Sequence, residues 1–165
     1  LSIAQLQQAG LCDVVGAVLE ETGLKADRLE LEVTESLFLK GSARAQEMLR
    51  DLKALGVRIS MDDFGTGYSS LATLEAFPFD KIKIDRSFVW QIGVTSKGGA
   101  IVRAILSLGE SLDIPVIAEG VETEGQLAFL RQHGCAEIQG YLRGKPQPIA
   151  SYRALVGPDR DLKVA

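Results

Sequence analysis

Soft metal ligands are scarce in this sequence: one histidine, His133, and two cysteines, Cys12 and Cys135, stand among 165 residues. The cysteines match no zinc or redox spacing, so a buried, reduced pair is expected, in keeping with the cytoplasm. His133 falls in the last turn of a predicted helix just before Gly134, where it is expected to serve as a charge-compatible cap and not in catalysis. Positive charge is also in short supply. Eighteen Lys and Arg face 22 Asp and Glu, a net charge of −4, which leaves no basic surface for a DNA or RNA duplex. Apolar runs such as Ile114 to Ala118 end far short of the ~20 residues needed to cross a bilayer. The opening Leu1-Ser2-Ile3-Ala4-Gln5 has no initiator Met, no basic segment and no apolar stretch of a leader. No membrane contact is expected from this segment, and the chain reads as cut from something longer. What is present, 46% hydrophobic and 24% charged residues, is the balance of one cored domain and excludes disorder. Residues 1–165 are therefore read as a single unit.

Helical and strand patterns alternate along the chain, as in a parallel α/β sheet. Ser2 and Gln5 have capping-box spacing, and an apolar stripe over Leu11, Val14, Val15, Val18 and Leu19 ends near Gly23, so one helical region is expected there. A strand is predicted over Leu29 to Thr34, a helix over Ala45 to Leu55 and a second strand from Val57 into Asp62. A glycine loop, Asp63-Phe64-Gly65-Thr66-Gly67-Tyr68, precedes a short helix around Leu71 and Leu74. Three further strands are predicted over Lys81 to Asp85, Ile114 to Glu119 and Ala136 to Gly140, with helices marked by Ile101 to Leu108, Thr123 to Gly134 and Pro148 to Leu155.

Periodicity alone does not separate an open doubly wound sheet from part of a (β/α)8 barrel. The polar residues favour the barrel. In each strand one phase is apolar, whereas the other carries Glu32, Asp62, Lys83, Glu119 or Gln139 at or near its C-terminal end. A barrel gathers all its strand ends around one mouth; an open sheet spreads them along an edge. Because a complete barrel takes ~250 residues, the five β/α units here are expected to form an incomplete, TIM-like one with its N-terminal strands missing.

Charges at buried strand ends call for partners, and Glu32, Asp62, Asp63 and Glu119 facing one mouth ask for a hard cation such as Mg²⁺ or Mn²⁺. The plainer alternative pairs each acid with a nearby Lys or Arg. Adjacent acids such as Asp62 and Asp63 point to opposite sides of an extended chain unless it turns, and Gly65 and Gly67 supply a turn able to swing Asp63 back toward a second metal, a known arrangement for phosphoester displacement. Lys83, on the inward phase, suits holding a phosphate or orienting water; a salt bridge is its structural alternative. A Schiff-base aldolase using Lys83 is a third reading, against which the four acids argue. Phe88 and Trp90 are expected in the core or an interface.

Glu30-Leu31-Glu32-Val33-Thr34-Glu35-Ser36, the run Asp62 to Ser70, Lys83-Ile84-Asp85-Arg86-Ser87-Phe88, Glu119-Gly120-Val121-Glu122-Thr123 and Gln139-Gly140-Tyr141 together resemble the successive motifs of the bacterial EAL domain. The resemblance covers the C-terminal two-thirds of such a domain. It implies a barrel phosphodiesterase that hydrolyses cyclic di-GMP to linear pGpG with Mg²⁺ or Mn²⁺. By position it makes Glu32, Asp62, Asp63 and Glu119 metal ligands, with Glu119 holding metal-bound water or acting as base, and Glu119, Lys83 and Asp63 the catalytic residues. Lys83 would orient water or phosphate, Gln139 would complete the substrate pocket, and Glu35 would anchor the loop containing Gly65 and Gly67. It also implies sensor or GGDEF domains upstream in a parent protein. The Glu-Ala-Leu strand that names the family is absent, as is the Asn that normally precedes the Leu-Ser found here as Leu1-Ser2, and Arg143 stands where an aromatic residue is usual. With these departures the chain by itself is expected to be inactive or to hydrolyse cyclic di-GMP far more slowly than a complete domain. A non-catalytic cyclic di-GMP-binding or dimerisation and regulatory module stays open as the alternative, and open barrel edges predict association with a second copy or marginal stability.

Overall fold

In the computed structural model, residues 1–40, 43–67, 74–75 and 77–152 are described. Helices α1 (Ile3–Gln7) and α2 (Leu11–Thr22) come first, followed by strand β1 (Glu30–Thr34), α3 (Glu35–Lys40) and α4 (Ala43–Ala54). The remaining order is β2 (Arg58–Phe64), β3 (Lys81–Ile84), α5 (Arg86–Val89), α6 (Ser96–Ser111), β4 (Val116–Ala118), α7 (Glu124–Gln132) and β5 (Glu137–Ile138). The five strands are parallel and lie in the order β1-β2-β3-β4-β5. A doubly wound sheet reverses its order at a switch point; this one advances by one strand at every crossover, as a (β/α)8 barrel does.

The curvature of a barrel is recorded by one side chain. Flat strands ~4.8 Å apart would hold β1 and β5 about 19 Å from each other. Yet Lys81 of β3 reaches Glu30 of β1 at 3.5 Å and Glu137 of β5 at 2.7 Å. The sheet therefore curls around a concave face, and the architecture is α/β, an incomplete TIM-like barrel of five consecutive units.

Alternation separates the faces. Val33, Ile59, Met61, Ile82, Ile84 and Ala118 are fully buried in the core that the strands form with the helices, where α4 packs on β2 and α6 on β3 and β4. The other phase carries Glu30, Glu32, Ser60, Asp62, Lys81 and Lys83 into the concavity. Local signals fix the helix ends. Ser2 and Thr123 both close capping boxes, with Gln5 and Gln126 respectively. His133 is the C-terminal cap of α7, stacked on Phe129 at 4.5 Å.

Several expectations are corrected. The single helical region from Ser2 to Gly23 is two helices, because the chain turns at Gly10, which caps α2 with φ +84°. Helices α3 and α5 were not expected. The strand expected from Ile114 is shortened to Val116–Ala118, since Asp113 takes a positive φ of 55° and Pro115 has no N–H to donate. The third and fifth strands likewise end earlier, at Ile84 and Ile138. The terminal helix is a 3₁₀ turn, Ile149–Tyr152; its expected continuation to Leu155 lies outside the described residues, as do Leu71 and Tyr68 to Ser70. Both cysteines are free, but only Cys135 is buried, while Cys12 is half-exposed against Met48.

Candidate active site

Strand β2 runs straight through both acids, and the turn expected at the glycines begins earlier, within the strand. Three steps from Met61 to Phe64 oppose two from Ile82 to Ile84, so one extra residue is inserted, a β-bulge. Asp63 sits at that insertion with φ 55°, a left-handed conformation that Asp tolerates better than most residues. Its amide donates to Asp62 Oδ1 at 3.0 Å, and its carbonyl accepts from the Thr66 amide and hydroxyl at 3.2 and 2.8 Å. The bulge breaks the strict alternation that would otherwise send Asp62 and Asp63 to opposite faces.

The loop that follows is held from the far side by Glu35. This carboxylate, at the start of α3, is buried to 1% exposure, and its Oε2 accepts from the amides of Gly65 at 3.1 Å and Gly67 at 3.4 Å. Gly65 takes φ +94°, and a Cβ on Gly67 would lie 2.5 Å from Glu35 Oε1. Glycine is required at one position by backbone conformation and at the other by the carboxylate pressed against it.

On the concave face the inward acids meet one cation. Lys83 Nζ lies 2.5 Å from Glu32 Oε1, 2.6 Å from Glu119 Oε1 and 3.3 Å from Asp62 Oδ1. Burial works against the charge on Lys83, but the hydrogen bonds it donates to Glu119 and Glu32 outweigh this and raise its pKa, so the ammonium is held charged. Burial raises the Glu119 pKa; Lys83 opposes the shift, while repulsion from Asp62 and Glu32 adds to it. Asp63 is raised as well, by burial and then by repulsion from Asp62 and Asp85. One lysine thus does not neutralise the cluster.

The structural alternative raised for these acids holds to this extent: Glu32, Asp62 and Glu119 do share a lysine. Among the described residues, no three Asp, Glu, His or Cys side chains gather into a cage of their own. By donor type Glu32, Asp62, Asp63 and Glu119 suit a hard divalent ion, being carboxylates with no sulfur or imidazole among them.

Gln139, just past β5, borders two cavities. One, of about 310 Å³, contains Glu32 and Lys83. The other, of about 320 Å³, is walled by Arg86, Trp90, Glu122 and Tyr141 and opens beside Glu119. Trp90, expected in the core or an interface, is not in the core: 44% exposed, it lies under the Arg86 guanidinium at 5.1 Å and donates from Nε1 to the Gly120 carbonyl at 3.1 Å. Sequence reasoning missed this wall. Arg86 and Trp90 stand four apart on the chain, which could have flagged a shared helical face, but only the crossover brings them to Tyr141.

Comparison with known proteins identifies the family and the fold. The model of the EAL domain matches residues 1–146. An uncharacterized signaling protein of Caulobacter vibrioides is 60% identical over 149 residues, covering 90% of this chain. The solved PaMucR phosphodiesterase in complex with c-di-GMP is similar with a TM-score of 0.86 and 45% identity, over 92% of this chain and 61% of that one. A manganese and cyclic di-GMP complex of BlrP1 from Klebsiella pneumoniae has a TM-score of 0.78 and 33% identity, over 84% and 35% of the two chains. The chain spans about a fifth of the length of the curated relatives it matches.

Proposed function

The chain belongs to the EAL domain family, and from that premise we propose that it supplies the catalytic face of a metal-dependent phosphodiesterase that opens cyclic di-GMP to linear pGpG. The observation that carries this reading is the convergence of Glu32, Asp62 and Glu119 on Lys83 at the ends of β1 to β4, beside a cavity wide enough for a base. Glu32, Asp62, Asp63 and Glu119 are the residues to hold Mg²⁺ or Mn²⁺. Such an ion, when bound, supplies the positive charge that lets a phosphodiester approach four acids and makes water a better nucleophile.

The chain's own groups account for the rest. Glu119, whose pKa is raised, accepts a proton at its free oxygen from the attacking water. Water oxygen bonds to phosphorus, the bond from phosphorus to the 3′ oxygen breaks, and the departing 3′ oxygen takes up the proton that water gave. Lys83, held charged, balances a phosphate oxygen and keeps the Glu119 carboxylate oriented. Arg86, Trp90, Glu122 and Tyr141 receive a guanine, with the indole offering a stacking face and Glu122 an acceptor for the ring N–H groups. Glu35 keeps the Asp63 loop in place.

The proposal extends to the setting: a cytoplasmic domain working with sensor or GGDEF domains of a parent protein and pairing with a second copy. The test is hydrolysis of cyclic di-GMP by the purified chain with Mg²⁺ or Mn²⁺, followed by separation of products. Appearance of pGpG that stops in excess chelator supports the reading. Binding of cyclic di-GMP without turnover would make the chain a binding module instead, and turnover undiminished by chelator would refute the metal-dependent scheme.

A further inference from the structure

Below the mouth, the concave face holds a second ion cluster that the proposed reaction does not use. Lys81, two residues before Lys83 on β3, bridges Glu30 on β1 at 3.5 Å and Glu137 on β5 at 2.7 Å. Its partners are not sealed off from the upper cluster. Glu30, Glu32, Lys81, Lys83, Glu137 and Gln139 line a single cavity of about 310 Å³. Five carboxylates therefore compete for two lysines, and the structure shows them sorted, with Glu30 and Glu137 on Lys81 and Glu32, Asp62 and Glu119 on Lys83.

We propose that Lys81 is a positioning residue for the reaction at the mouth: by occupying Glu30 and Glu137, it leaves the Lys83 ammonium to Glu119, Glu32 and Asp62. The inference rests on the reading of that mouth as the hydrolytic site. Glu30 and Glu137 keep 28% and 41% of their side-chain surface exposed, so water only partly screens them from charges in the same cavity. Without Lys81, both would be left without its charge in the cavity they share with Lys83, whose stem is flexible enough to turn toward them. Lys83 drawn toward them would no longer hold the Glu119 carboxylate.

The decisive comparison pairs Lys81→Met with the triple variant Glu30→Gln, Lys81→Met, Glu137→Gln, which removes the competing acids along with the lysine. Turnover of cyclic di-GMP is expected to fall by up to roughly 10²-fold in Lys81→Met, the cost of a misplaced group in the site, to recover in the triple variant, and to stay near that of the unaltered chain in Lys81→Arg. A crystal structure of Lys81→Met should show Lys83 turned from Glu119 toward Glu30 or Glu137. If Lys81 merely ties β1 to β5, the triple variant lacks the tie as well and stays slow, and that result would overturn the proposal. So would an unmoved Lys83 in the crystal. Should Lys81→Met not fold, Lys81→Gln takes its place in the same comparison. If the unaltered chain hydrolyses nothing, the hydrolytic reading fails by itself, and the position of Lys83 in the Lys81→Met crystal still decides whether the two lysines partition the acids.

Discussion

The two faces of one sheet are built from alternate residues of the same strands, yet they obey opposite rules. Ile82 and Ile84 on β3 are fully buried among apolar neighbours, while Lys81 and Lys83 between them bind five carboxylates. Burial of aliphatic side chains stabilises the outer face by about 1.5–3 kcal/mol for each fully buried residue. Desolvation at the concave face opposes charge, and paired ions there roughly break even. The fold is thus held by one face, and the other is left for chemistry. The difference also explains why excess negative charge persists on the inside, since no stability depends on neutralising it completely.

The strongest test of that division is to strip charge from the concave face. Glu119→Gln is expected to lower cyclic di-GMP hydrolysis by ~10²–10⁴-fold, the range for loss of a positioned proton acceptor, with little change in the urea midpoint. Unfolding in step with inactivation would erase the distinction between the faces. The reciprocal change is Ile82→Ala on the outer face. It should destabilise the chain by about 2–5 kcal/mol in denaturant titration, while molecules that remain folded keep their rate per active site.

A smaller effect is expected where the faces meet. Glu35→Ala removes the acceptor of the Gly65 and Gly67 amides from a buried position, and leaving such donors unpaired costs about 1–3 kcal/mol. Because the same loop follows Asp63, affinity for Mn²⁺, read by calorimetry, should weaken as well. Unchanged affinity would confine Glu35 to folding. The weakest effect is in alkaline solution. Burial acts to lower the Lys81 pKa, but Glu137 and Glu30 together raise it above its ordinary 10.5. Its pairing therefore contributes fully below pH 10.5 and is lost as pH rises through the folded value. Stability should decline over that interval, and less steeply in Glu30→Gln combined with Glu137→Gln, as followed by circular dichroism during alkaline titration.

What could be read from the residues one after another was whatever depends on near neighbours. The period of two over Glu30 to Thr34, the capping boxes at Ser2 and Thr123, and the inward phase of Glu32, Asp62, Lys83 and Glu119 all follow from local geometry, since strand alternation and helix caps are decided within about four residues. The motif order from Glu30 to Tyr141 was equally legible and already pointed to the family. The bulge at Asp63 was not, because an extra residue is defined only against the strand beside it. Nor was the sorting of acids between Lys81 and Lys83: Glu30 and Glu137 are 107 positions apart, and only the curl of the sheet brings both to one ammonium. The same holds for Trp90, expected in a core or an interface and found in the wall of a cavity with Arg86 and Tyr141. Local chemistry determined which residues face inward, and the closure of distant strands decided which of them meet.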